Sequence, residues 1–94
     1  MAVFGSADLR RCFYCGISEP AYVSLRIPTP SGGPGLRLGL DRKDSDAPYR
    51  EGNVVVCCLV CNRVKSSTFT HEEMIHLGRL IRDVWVARGL DAEV

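Results

Sequence analysis

The chain has 94 residues, a formal net charge of +1 and 46% hydrophobic residues, which excludes several large domains and a basic excess that would by itself mark a nucleic-acid binder. It holds no run of about eighteen apolar residues, the length a membrane span needs, and no charged stretch leading into an apolar one at its start, so it reads as a cytoplasmic protein without membrane contact. A chain this short buries a thin core, and an odd count of five cysteines in a reducing compartment points to a metal staple rather than a disulfide framework.

Residues 1–11 have no clear period and are expected to form a flexible arm ending in the basic pair Arg10 and Arg11. Cys12-Phe13-Tyr14-Cys15-Gly16 then has the form of a zinc knuckle, two thiolates three apart with a glycine that lets the backbone turn behind them. The β-branched and aromatic character of residues 21–27 predicts a strand. The segment PTPSGGPG at 28–35 stops any regular element. Leu36, Leu38 and Leu40 alternate with Arg37 and Gly39, the period of a half-buried strand that ends at Asp41.

The polar loop DRKDSDAPYREG at 41–52 separates this strand from a second one, Asn53-Val54-Val55-Val56. Residues 57–67 are expected to continue as a helix with Cys58 and Cys61 one turn apart at its start. Thr70-His71-Glu72-Glu73 is a capping box. After it, Met74, Leu77, Ile81, Val84 and Trp85 recur at helical spacing, and Gly89 supplies the stop.

Cys12, Cys15, Cys58 and Cys61 thus form two pairs with the same two-residue spacing, the ligand pattern of a structural Zn²⁺. Cys57 and Cys61 could also chelate on a helix, but Cys58 repeats the spacing of the first pair, which leaves Cys57 as a buried thiol. The pairs also match a redox spacing. No alternation of strands and helices of the thioredoxin kind surrounds them, so thiol-disulfide chemistry ranks behind the metal. The expected architecture is one zinc-stapled α+β domain over residues 1–94, with 42 residues inserted between the pairs.

From Cys12 to Lys65 the segments Leu40-Asp41-Arg42-Lys43-Asp44, Pro48-Tyr49 and Gly52-Asn53-Val54-Val55-Val56-Cys57-Cys58-Leu59-Val60-Cys61-Asn62-Arg63-Val64-Lys65 resemble the HNH endonucleases, especially small phage-type members with a zinc clasp. The resemblance implies a treble-clef-like ββα-metal core with a packed C-terminal helix, in the cytoplasm of a bacterial or phage-infected cell. It implies DNA as substrate, a protein partner as one source of specificity, and Mg²⁺ or Mn²⁺ as the catalytic ion. Asp41 and Asn62 would be the ion's ligands, Asn53 would pin the connecting loop, and Lys65 matches a family lysine. Lys43, Arg50, Arg63 and Lys65 fall near this site and would meet phosphates.

Arg42 stands where the family has the histidine that activates water. A guanidinium has no acceptor lone pair and stays protonated, so Arg42 is no general base, although it can clamp a phosphate. The base would then be Asp44, Tyr49, His71 or a metal-bound hydroxide, with Asp44 nearest in sequence. The alternative function is a catalytically inactive zinc-stapled module that binds nucleic acid or protein.

Overall fold

A computed structural model describes residues 10–93 of the chain. Its elements run α1 (Glu19–Ser24), β1 (Gly39–Arg42), a 3₁₀ turn (Glu51–Asn53), β2 (Val54–Cys57), α2 (Leu59–Lys65) and α3 (His71–Ala87). Residues 1–9 of the expected flexible arm lie outside the described residues. Arg10 and Arg11 are not loose: Arg10 pairs with Glu19 at 2.8 Å, and Arg11 pairs with Asp91 at 2.9 Å.

The segment at 21–27 is not a strand, because the residues before it cap a helix. Ser18 is extended and its hydroxyl accepts from the Ala21 N–H, while Glu19 and Pro20 open the first turn. An N-cap serine, an acid at the positive helix end and a proline whose missing N–H costs nothing there together outweigh the β propensity of Tyr22 and Val23. Glu19 also reaches across to receive the Leu38 N–H at 2.9 Å, tying α1 to the approach of β1.

β1 and β2 form an antiparallel pair in which Gly39 faces Cys57, Leu40 faces Val56, Asp41 faces Val55 and Arg42 faces Val54. The expected strand is therefore shifted toward its C-terminal end. Leu38 is buried just before it, whereas Leu36 is largely exposed, so the leucine alternation marks one core contact rather than a strand's length. Pairing with the valines of β2 carries the strand through Asp41 and Arg42, which places both at the rim of the sheet.

Helix α2 starts after Cys58, whose sulfur accepts the Cys61 N–H as N-cap. The capping box of α3 is present, with Thr70 N–H donating to Glu73 at 2.9 Å and Glu73 N–H donating to Thr70 at 3.1 Å. Its buried face is Met74, Gly78 and Trp85, with Ile81 partly buried against the core. Val84, part of the apolar stripe expected from spacing, is 47% exposed, because Gly78 rather than a large side chain marks the line of closest approach.

Gly78 lets α3 lie directly on the cysteine knuckle: a Cβ there would overlap the Tyr14 carbonyl. Gly16, with φ of 73°, takes the left-handed turn behind Cys15, and a side chain there would overlap the Glu93 backbone. Gly78→Ala is expected to destabilise the fold by about 1–3 kcal/mol through overpacking. Thermal unfolding measures this, and an unchanged midpoint would show that α3 does not rest on the knuckle.

Candidate active site and thiol cluster

The four paired cysteines meet. Cys12, Cys15, Cys58 and Cys61 are all buried, and their sulfurs lie within 4.8 Å of one another. Cys15 Sγ and Cys58 Sγ are 3.7 Å apart, close to the edge of about 3.8 Å that a tetrahedron of Zn–S bonds near 2.3 Å requires. Trp85 Nε1 donates to Cys15 Sγ at 3.3 Å, the kind of outer contact that orients a thiolate ligand. Cys57 is outside this group; its thiol donates to the Cys58 carbonyl at 3.2 Å.

Hydrogen bonds from the neighbouring thiols, Cys15 foremost, push the Cys12 thiol down, and the hydrogen bonds to Cys12 push Cys58 and Cys61 up. Four buried thiolates cannot coexist without a compensating ion, so the donor set fits a tetrahedral divalent metal and no hard, oxygen-seeking one.

The second cluster forms where β1, α2, α3 and the knuckle converge. Asp41 is 7% exposed and both of its oxygens are engaged. Oδ1 receives the Asn62 amide at 3.1 Å. Oδ2 lies 3.2 Å from the Tyr14 hydroxyl and 3.3 Å from Lys65 Nζ. Tyr14 in turn sits 2.8 Å from His71 Nδ1, and the His71 ring stacks on Phe13 with centroids 5.3 Å apart. The knuckle and α2 thereby share one carboxylate, and α3 joins it through Tyr14.

Tyr14 is the residue that sequence reasoning missed. It lies between two ligand cysteines, where a knuckle reading treats it as a spacer, and no periodic signal marks it. Burial and then the Asp41 charge push its pKa well above the ordinary phenol value, so it stays protonated. Burial is also the main cause holding the His71 pKa below 6.5, followed by the nearby Lys43 charge. Because Tyr14 donates its one proton to Asp41 Oδ2, a neutral imidazole carrying its proton at Nδ1 donates to the Tyr14 oxygen and leaves Nε2 free to accept.

The other sequence candidates divide. Asn53 pins the 41–52 loop, accepting the Asp44 N–H at 3.0 Å and donating to the carbonyls of Asp44 and Pro48 at 3.2 and 3.0 Å. Asp44 folds back on its own turn, with Oδ1 accepting the Asp46 N–H at 2.9 Å, and it is solvent-exposed. Arg42 donates to the Ala47 carbonyl at 3.2 Å and lies over the Tyr49 ring at 5.0 Å, which spends one of its donors and both fixes the guanidinium and occupies Tyr49.

Lys65 corrects the sequence reading. A side chain 1% exposed cannot meet a phosphate; its ammonium points inward and donates to the Arg42 carbonyl at 2.9 Å. Arg63 is exposed and donates to the Pro28 carbonyl at 2.6 Å, which tethers the proline-glycine loop. Lys43 is exposed, and with His71, Asp46 and Thr68 it lines an open cleft on one side of the cluster. Asn62, Tyr49 and Leu36 line a second cleft on the other.

Asp41 and Asn62 suit a hard divalent cation by donor chemistry, an anionic oxygen facing a carboxamide. A carboxamide binds such an ion through oxygen, whereas Asn62 here presents its NH₂ to Asp41. Binding would therefore require the amide to turn over about its Cβ–Cγ bond. No helix among the described residues is long and apolar enough to cross a membrane.

No protein-family model matches the chain, and no curated protein matches it. Among solved structures, it is similar to the rare-cutting HNH restriction endonuclease PacI, described for its mechanism of DNA perturbation, with a TM-score of 0.92 and 41% sequence identity over 96% of this chain. The match spans 63% of the PacI chain. That agreement in sequence and backbone, together with the two-strand sheet, the helices and the four-cysteine cluster, shows that the chain has the HNH endonuclease fold.

Proposed function

We propose that the chain is a divalent-metal-dependent DNA endonuclease of the HNH type, with Zn²⁺ at the four-cysteine cluster in a purely structural role. The observation that carries this reading is the convergence of Tyr14, Asn62 and Lys65 on Asp41, with His71 behind Tyr14. A structural role alone does not call for a buried carboxylate whose partners Asn62 and, through Tyr14, His71 each line an open cleft. Similarity to a restriction endonuclease supports DNA as substrate.

Asp41 and Asn62 would hold Mg²⁺ or Mn²⁺, which when bound supplies charge stabilisation at the scissile phosphate and the leaving oxygen. The free donors of Arg42 would meet a non-bridging phosphate oxygen, in a direction set by Ala47 and Tyr49. Lys43 and Arg63 would contact flanking phosphates. The proton acceptor that Arg42 cannot be is His71, at the cleft beside Lys43, with the buried Tyr14 holding its ring at Nδ1. As water attacks phosphorus, its proton passes to the free Nε2 of His71, while Tyr14 keeps its own proton on Asp41 Oδ2. This arrangement agrees with a phenol that holds its proton and an imidazole that is uncharged.

Plasmid cleavage by zinc-loaded protein, with Mg²⁺, Mn²⁺ or chelator, tests the reading. Metal-dependent nicking lost in Asp41→Ala and Asn62→Ala supports it; DNA binding without cleavage under every metal condition would replace it with the inactive-module reading. Tyr14→Phe and His71→Ala are each expected to lower turnover about 10²-fold or more with zinc content unchanged, while Asp44→Ala stays within a few-fold. The reverse ranking would make Asp44 the base.

The pH profile is a second check. Because the folded His71 pKa lies below 6.5, the neutral acceptor persists as pH falls through 6.5, and the turnover plateau should extend below that point before dropping. The stability tied to neutral His71 follows the same sign: it is present above the unfolded pKa and is lost as pH falls through the folded one.

A further inference from the structure

Lysine is almost never fully buried unless its charge is paired, and Lys65 is 1% exposed at the last turn of α2. Asn62 and Lys65 are three residues apart on this helix, so they share one face. That face grips Asp41 from one side, Asn62 at Oδ1 and Lys65 at Oδ2. Oδ2 also lies within reach of the Tyr14 hydroxyl and is therefore approached twice, once by a full positive charge. Oδ1 faces a neutral amide that can turn. The same ammonium donates to the carbonyl of Arg42, so one side chain sets both the carboxylate and the backbone of the following arginine.

We propose that Lys65 is a positioning residue that keeps Oδ2 of Asp41 engaged, reserves Oδ1 for the catalytic divalent ion and holds the affinity for that ion down. This rests on the reading of Asp41 and Asn62 as the ion's ligands. A cation entering at Oδ1 feels the ammonium on the other oxygen of the same carboxylate, and like charges at that separation in a buried setting repel. In exchange, Asp41 stays oriented when no ion is present, and the strand end carrying Arg42 stays in register with it.

Lys65→Met keeps the apolar stem and removes the charge. In the zinc-loaded full chain, Mn²⁺ titration followed by the electron paramagnetic resonance of free Mn²⁺ should show binding tightened about tenfold or more relative to wild type, while turnover at saturating Mn²⁺ falls at least about tenfold. A merely structural lysine would lower the unfolding midpoint without tightening Mn²⁺ binding, so unchanged or weaker Mn²⁺ affinity overturns the proposal. If Lys65→Met loses zinc or its circular dichroism signature, wild-type protein labelled with ¹⁵N-lysine provides the second measurement. The Lys65 ammonium resonance should shift on addition of Mg²⁺, and the same addition to Asp41→Asn should leave it in place; no shift in wild type overturns the proposal. The parent reading fails separately: wild type and Asp41→Asn titrating Mn²⁺ identically would mean that the ion does not bind at Asp41.

Discussion

Cys58→Ser, or wild-type protein held in excess chelator, is expected to lose the cooperative fold altogether. Cys12, Cys15, Cys58 and Cys61 are at most 2% exposed, and they connect the knuckle to the start of α2. Cys58 is also the N-cap of that helix. The aliphatic and aromatic core around them is small: Tyr14, Ile17, Tyr22, Leu38, Met74 and Trp85 are its principal buried members. A structural zinc contributes on the order of 10–16 kcal/mol in small metal-folded domains, comparable with the whole stability of a typical domain, roughly 5–15 kcal/mol. Removing it exposes four thiols whose charges the fold cannot otherwise hold. Circular dichroism with zinc quantitation measures this. A zinc-free protein with a native spectrum and an unchanged thermal midpoint would end the structural-zinc reading.

Asp41→Ala should cost stability as well as activity, which separates this site from an ordinary surface carboxylate. The substitution leaves the Lys65 ammonium inside the protein with the Arg42 carbonyl as its bond and no counter-charge at 3.3 Å. Breaking a buried ion pair by removing one partner costs about 3–5 kcal/mol, whereas replacing both partners by apolar groups can be near neutral. Asp41→Ala combined with Lys65→Met is therefore expected to recover most of the stability and none of the cleavage. Lys65→Met alone should cost less than Asp41→Ala, because Tyr14 and Asn62 still solvate the carboxylate. Urea unfolding of the four proteins in a double-mutant cycle gives the coupling. Additive losses would show that the two charges do not depend on each other.

Local chemistry made much of the fold legible. Two cysteine pairs at matched spacing, a valine run after a polar loop and a threonine-glutamate capping box each act within a few residues, and the structure brings the pairs together and caps α3 as their spacing implies. Where two local signals compete, the more conspicuous one is the weaker. The β-rich side chains at 21–27 are outweighed by the Ser18-Glu19-Pro20 helix start, and the leucine alternation ends in one buried contact at Leu38.

The candidate site was legible only in part, since its members are far apart in the chain. Asp41 and Asn62 could be named from the HNH-like segment. Tyr14 could not be named at all, and His71 stood as one alternative among several, because their meeting depends on α3 crossing the knuckle at Gly78. Lys65 carried the opposite difficulty: a lysine in a polar stretch suggests a phosphate contact, and only the docking of α2 beneath β1 turns its ammonium inward.

The sequence by itself determined which side chains can bind metal, cap a helix or turn the backbone, because these depend on residue type and short spacing. The tertiary structure decided which of them face one another. Charge pairing, proton sharing and burial are properties of distances between segments, and closure of the thiol cluster together with the seat of α3 sets those distances.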